Sequence, residues 1–306
     1  MAKRVRRKKS RPKAAIPNYR EEGVKASRPD TRPALIALFL VILLIGSALY
    51  FTSMVEDSSA VVEYGVNAEL LTNNHNTEPG QDTDFVLVIT NTGSIADTFD
   101  IGVKSNDGGF SITIEEGYES IVVDKNKRKP VIVNVKTSSS ATGLLYAHLE
   151  IKSRGDGTKT AEVKLDVNTD YEFGNQTSRG DSVSLHYAGI LAKNGNLFDS
   201  SMEYVWDNYG YLKSGVTDPR LPPQNRVLDP LKSDHVGCPS PGQPLPEECD
   251  GNGGLIGGFG TKIVGMYEGQ SLSVRIPAKD AYGENPDGHN LGGEDLIFVI
   301  KIISID

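Results

Sequence analysis

Two cysteines and five histidines are all that this 306-residue sequence offers for thiol or soft-metal chemistry. Cys238 and Cys249 share a proline- and glycine-rich stretch in which His235 is the only nearby histidine. Two thiols and one imidazole make a weak metal set, so a disulfide is the expected pairing in an oxidising compartment, with a metal pair as the alternative. The adjoining Asp250-Gly251-Asn252-Gly253 has calcium-loop composition but lacks the distal chelating glutamate, and reads as a turn. His75 and His148 stand alone and read as surface or packed histidines, so no metal site is expected. The other chemistry-bearing side chains fall in short ordered strings. These are Gly180-Asp181-Ser182-Val183-Ser184-Leu185-His186-Tyr187-Ala188-Gly189, Leu197-Phe198-Asp199-Ser200-Ser201, Leu255-Ile256-Gly257-Gly258-Phe259, Ala281-Tyr282-Gly283 and Leu296-Ile297-Phe298. They carry aromatic rings, a carboxyl and phenols.

The elements that must position them follow from hydrophobic period. Val183, Leu185 and Tyr187 alternate on one face of a strand, and Asn194-Gly195 is a hairpin-turn signal. Ile256, Phe259, Ile263 and Met266 have helical spacing; 271–277 and 295–302 read as strands. Upstream, 61–167 alternates in period two: Phe85, Leu87 and Ile89; Val131, Val133 and Val135; Leu145, Ala147, Leu149 and Ile151; Val163, Leu165 and Val167. Turns at Pro79-Gly80, Asn91-Thr92-Gly93, Asn106-Asp107-Gly108-Gly109 and Gly155-Asp156-Gly157 separate these strands, which predicts an antiparallel sandwich. A hinge is expected near 169–178, and Asn175-Gln176-Thr177 is an N-glycosylation sequon.

Two resemblances attach to these strings. Pro79-Gly80-Gln81, Phe85 through Gly93 and Asp97-Thr98-Phe99-Asp100-Ile101 resemble the immunoglobulin-like repeats of cell-surface proteins. This implies an all-β immunoglobulin-like sandwich over 60–168, a spacer or protein-binding module. Over 175–306, the ordered motifs Gly-Asp-x-Val-x-x-His-Tyr-x-Gly, Phe-Asp-Ser-Ser, Ile-x-Gly-Phe with Gly-Met-x-x-Gly, Arg-Ile-Pro with Ala-Tyr-Gly, and Leu-Ile-Phe resemble FKBP-type peptidyl-prolyl cis/trans isomerases. That resemblance implies an α+β domain, an antiparallel sheet curled around one short helix, and isomerase activity without a cofactor. By the family's pattern Tyr187, Phe198, Leu255, Ile256, Phe259 and Phe298 line the substrate pocket, with Phe259 at the floor where many members have Trp. Asp199 and Tyr282 carry the catalytic roles: Asp199 faces the substrate carbonyl, and the Tyr282 hydroxyl and Ile256 N–H donate hydrogen bonds. Two departures stand out. A 53-residue insert at 202–254 replaces a strand that normally supplies a pocket aromatic, leaving Trp206, Tyr209 and Tyr211 as substitutes. The loop 284–293 lacks the usual covering aliphatics, with Leu291 the only apolar candidate. The insert, pinned by Cys238 and Cys249, is expected to form a polypeptide-contacting loop.

Charge sets the compartment. Residues 1–32 hold 12 Lys/Arg and 3 acids, while the rest of the chain holds 20 basic and 37 acidic residues, so +9 faces −17. Between them 33–51 is a charge-free run of 19 residues. As a helix it matches the ~30 Å hydrocarbon core. The expected architecture is multi-domain: a disordered basic cytoplasmic tail (1–32), one transmembrane helix (33–55), the sandwich, and the isomerase domain. A cleaved signal peptide is the rival to a retained signal anchor; the long basic leader and the lack of a small-x-small site favour retention. The basic flank stays cytoplasmic, which places both folded domains outside the cell membrane. Lipid is the expected partner of 33–55 and the tail. Nucleic acid is not expected, since only Tyr19 interrupts the basic tail with a ring. The expected function is a membrane-anchored isomerase assisting folding of proline-containing exported polypeptides. The alternative is a catalytically weak polypeptide-binding or chaperone module of the same fold.

Overall fold

The computed structural model describes residues 61–208, 228–241 and 243–306. The basic tail and the expected transmembrane helix lie outside them, as do Tyr209, Tyr211 and the side chain of Trp206. Among the described residues no helix is long and apolar enough to cross a membrane.

Period-two segments bury one face, and the first half of the described chain builds two sheets from them. One has the order β1 (Val66–Leu70), β3 (Asp82–Asn91), β7 (Arg128–Thr137), β5 (Phe110–Ile114). The other runs β2 (Asn74–Asn76), β9 (Thr160–Asn168), β8 (Leu144–Ser153), β4 (Asp97–Asn106), β6 (Ser120–Val123). Phe85, Leu87 and Ile89 of β3 share one core with Phe99 of β4, Leu149 of β8 and Leu165 of β9. The pairing is antiparallel except at β2, which runs parallel to β9. Only residues 71–73 separate β1 from β2, and they carry the chain to the other sheet instead of around a hairpin.

The second half forms one antiparallel sheet, β11 (Leu197–Ser200), β10 (Val183–Leu191), β14 (Leu296–Ile305), β13 (Ser271–Ile276), with β12 (Leu231–Ser233) on the first half of β10. A short helix, α1 (Glu203–Asn208), opens the insert; α2 (Gly257–Ile263) packs on the sheet's inner face. Met266, which shares the helical spacing, lies past the helix end but is still buried with it.

The sheet is buried on both faces. Leu296, Phe298 and Ile300 of β14 point to α2, whereas Ile297 and Val299 point the other way. There they join Ala188, Ile190, Leu197 and Val205 in a core completed by Leu71, Val86 and Val88 of the sandwich. Arg275 pairs with Glu115 at 3.0 Å, and the Asn76 carboxamide donates to the Gly269 carbonyl at 3.0 Å. The segment expected to hinge is instead strapped down. The Thr177 hydroxyl is bonded to the Ile263 and Met266 carbonyls, Gln176 bridges Tyr267, and Phe173 packs between Tyr171 and Tyr267. Its polar and aromatic residues have partners on the second sheet, which a loop-like sequence does not announce.

The two histidines read as isolated differ. His148 pairs with Glu162 at 2.6 Å on the surface. His75 is buried, stacked on Phe85 at 4.2 Å and hydrogen-bonded to Thr72 and Thr83. Burial, then the Lys301 ammonium, push its pKa from the ordinary 6.5 down to about 3. A neutral buried imidazole must take a proton as the chain unfolds in acid. Stability is therefore full above about pH 6.5 and falls as pH drops toward 3, by a loss on the order of 4 kcal/mol. Urea midpoints from pH 7 to 4 check this, and His75→Gln is expected to flatten the slope; an unchanged slope in the variant would remove the assignment.

Candidate active site

The inner face of the second sheet, α2 and the insert enclose a cavity of about 280 Å³ lined by Tyr187, Phe198, Asp199, Leu231, Gly254, Leu255, Ile256, Phe259, Tyr282 and Phe298. Every residue expected for the site, Asp199 and Tyr282 included, is on that wall.

Local backbone features bring them together. Gly189 pairs with Asp199 while Ile190 pairs with Leu197, so Phe198 is an extra residue, a β-bulge. Simple alternation would send Phe198 and Asp199 to opposite faces; the bulge turns both into the cavity. Gly189 makes room, since a Cβ there would lie 2.4 Å from the Phe198 ring. On α2, a Cβ at Gly258 would meet Ile276 at 2.4 Å, so glycine lets the helix settle on the sheet and present Phe259. Phe298 sits at the centre of the cage, edge-to-face with Phe259 at 4.9 Å and Phe198 at 5.5 Å; Tyr187 meets Phe259 edge-on at 6.4 Å. Such pairs fix ring positions beyond what apolar burial alone supplies.

Among the described residues one carboxylate faces this cage. Asp199 is half-buried and accepts the Tyr187 hydroxyl at 2.5 Å. Burial, with the Asp199 bond and charge behind it, raises the Tyr187 pKa far above the ordinary 10. Burial and then the Asp199 charge raise that of Tyr282. Both phenols are protonated donors at neutral pH. Ile256 caps α2 with its carbonyl accepting from Phe259 and Gly260. Its own N–H precedes the helix and has no intrahelical acceptor. The site can thus hold a compact apolar ring, remove water from an adjoining carbonyl and offer donors at the rim.

Both rebuilt parts bear on the cavity. At the insert, Leu231 of β12 and Gly254 line it, while the candidates Tyr209, Tyr211 and the Trp206 side chain lie outside the described residues. A three-residue strand is too short to carry a period, so sequence gave no warning of Leu231. Leu291 is not a cover: it is 5% exposed and belongs to the core with Phe259 and Phe298. Its N–H donates to His289 Nδ1, a turn that folds the leucine inward and lays the imidazole flat on Tyr282 at 4.0 Å. His289 had no sequence signal beyond standing in the covering loop.

Cys238 and Cys249 are joined in a disulfide. Beside it, the Asn252 carboxamide and Gly253 N–H both donate to the Pro239 carbonyl, fixing the turn that leads to Gly254 and Leu255. The Asp250 carboxylate in the same turn pairs with His235 at 2.9 Å. Replacing both cysteines by serine is expected to cost about 2–3 kcal/mol. Chemical unfolding measures it, and a loss near zero would mean the loop's hydrogen bonds suffice.

Residues 245–303 match the family described as FKBP-type peptidyl-prolyl cis-trans isomerase. The chain is 30% identical over 131 residues to a probable FK506-binding protein of Corynebacterium glutamicum, covering 43% of this chain and 77% of that one. It is 26% identical over 147 residues to FK506-binding protein 2 of Aspergillus fumigatus, covering 48% and 81%. A solved FixG-related protein from Vibrio parahaemolyticus aligns with 36% of this chain and 98% of its own, at 9% identity and a TM-score of 0.28.

Proposed function

Because this chain belongs to the FKBP-type peptidyl-prolyl cis-trans isomerase family, we propose that it turns Xaa-Pro bonds in polypeptides that have crossed a membrane, held there by its own N-terminal segment. The isomerase chemistry needs no bond made or broken. The amide barrier is about 18–20 kcal/mol, and cis and trans forms differ by only about 0.5–1 kcal/mol at proline. A catalyst must favour the twisted amide, whose nitrogen has lost resonance, over both planar forms. In the proposed assignment the proline ring enters the cage of Tyr187, Phe198, Leu255, Ile256, Phe259 and Phe298. The preceding carbonyl, stripped of water, turns past Asp199, while the Tyr282 hydroxyl and Ile256 N–H hold the substrate backbone.

The observation that carries the location is the uncharged run 33–51 between +9 and −17. It supports a single span with the basic tail in the cytoplasm and lipid as its partner. The Cys238–Cys249 disulfide is consistent with an oxidising side. Unfolded or nascent exported polypeptides are the proposed substrates. The test is fractionation of cells making the full chain. The chain should stay in the membrane after carbonate, lose 61–306 to external protease, and accelerate Xaa-Pro isomerisation in the isolated membranes. Release by carbonate, or protection of 61–306 from protease, would overturn the location.

A further inference from the structure

We propose that the sandwich end formed by the β6–β7 turn docks on the anionic lipid surface beside the anchor. This rests on the anchored reading above and adds a second, peripheral contact to it.

The chain crosses from β6 in one sheet to β7 in the other at Asp124-Lys125-Asn126-Lys127, closed by the Lys127 N–H on the Asp124 carbonyl, with Asn126 left-handed at φ 56°. Lys125 and Lys127 are exposed at the tip of this turn. Arg128 and Lys129 follow and, with Lys127, line a groove closed from the isomerase side by Lys193 of the β10–β11 turn. Lys125 and Lys127 are the exposed bases of the turn, while Arg128 and Lys129 are half-buried behind them, the Lys129 ammonium over the Tyr118 ring at 5.4 Å, in a chain whose charge past residue 32 is strongly negative. Asp124 lines the same groove, Glu294 is paired with Lys193, and Asp97, opposite Val123, is buried and bonded to Ser153. Aliphatic side chains share this end: Val122 is 60% exposed, and Val62 and Ile95 are also exposed. Lysine beside exposed valine and isoleucine suits a headgroup boundary, where the ammonium meets phosphate and the alkyl parts leave water.

Connectivity points the same way. The Asn91 carboxamide donates to the Ile95 and Val123 carbonyls, and the Asn91 N–H to that of Lys127. Next to it Thr92 N–H bonds Gly65, and Ser94 N–H bonds Glu63. The chain therefore enters the folded part at the end that carries the β6–β7 turn. Residues 52–60, between the apolar run and the described part, are nine. Even fully extended, they reach about 30 Å. On the anchored reading, that length keeps these lysines within reach of the lipid surface.

Lysine acetylation footprinting of the full chain tests this, in phosphatidylcholine vesicles with and without phosphatidylglycerol. Lys125, Lys127 and Lys129 are expected to react several-fold more slowly with phosphatidylglycerol present, while Lys136, at the far end of β7, is unchanged. In the Lys125→Glu, Lys127→Glu variant the protection of Lys129 should vanish. Equal rates in both lipids, with the chain still resisting carbonate, would overturn the docking and leave the anchor standing. Phosphatidylglycerol-dependent protection of a chain that carbonate releases would keep the docking and remove the anchor. Stronger protection by an acidic peptide or RNA without vesicles would reassign the surface and overturn the proposal.

Discussion

Asp199→Ala is expected to lower kcat/KM for a Xaa-Pro peptide by about ten- to a hundredfold. The carboxylate is half-buried in an apolar cage and accepts the Tyr187 hydroxyl. Removing it leaves a phenol donor unpaired at the point where, in the proposed assignment, the substrate carbonyl turns. Such an orphan costs about 1–3 kcal/mol, and about 1.4 kcal/mol is tenfold in rate. Tyr187→Phe makes the complementary change, keeping the ring and orphaning the carboxylate. If the pair acts as a unit, the double variant loses little more than either single. Strictly additive losses would separate the two residues. Because both Tyr187 and Tyr282 are shifted upward, the wild-type pH profile should show no loss from phenol ionisation up to about pH 10.

Val86→Asp, in the sandwich, is expected to cost more than about 3 kcal/mol and to reduce isomerase activity. Val86 is fully buried, yet it faces away from the sandwich core, against Ile297 and Val299 of the isomerase sheet. A carboxylate there has no partner among those aliphatic side chains. β14 alternates these residues with Phe298 and its pocket neighbours, so disorder on the outer face reaches the cage. Calorimetry of the wild type should give one transition for residues 62–306, and the variant should lower it as a whole. Two transitions, with only the earlier one shifted, would mean the halves are energetically separate.

Much of the site was legible because its residues lie in short ordered motifs, Phe198-Asp199 and Tyr282-Gly283 among them, that resemble those of FKBP-type isomerases. The parts missed were those without a local pattern. Leu231 reaches the cavity from a three-residue strand, and His289 covers Tyr282 because a neighbouring leucine folds inward. Neither position has a period or a motif to betray it.

The packing of the two halves on one another was not legible for a related reason. Phe85, Leu87 and Ile89 alternate with Val86 and Val88, and the eye takes the first set as the buried face. A strand apolar on both sides needs two partners, as do the continuous runs of β10 and β14. The runs state that a second face must be covered, but not by what. Sequence alone determined the strands, the short helix and the charge division of the chain, since these depend on residue type and spacing, while the cage residues came from the resemblance to FKBP-type isomerases. Only the tertiary structure decided that the outer faces of β3, β10 and β14 cover one another, because burial of apolar surface is non-directional and names no partner.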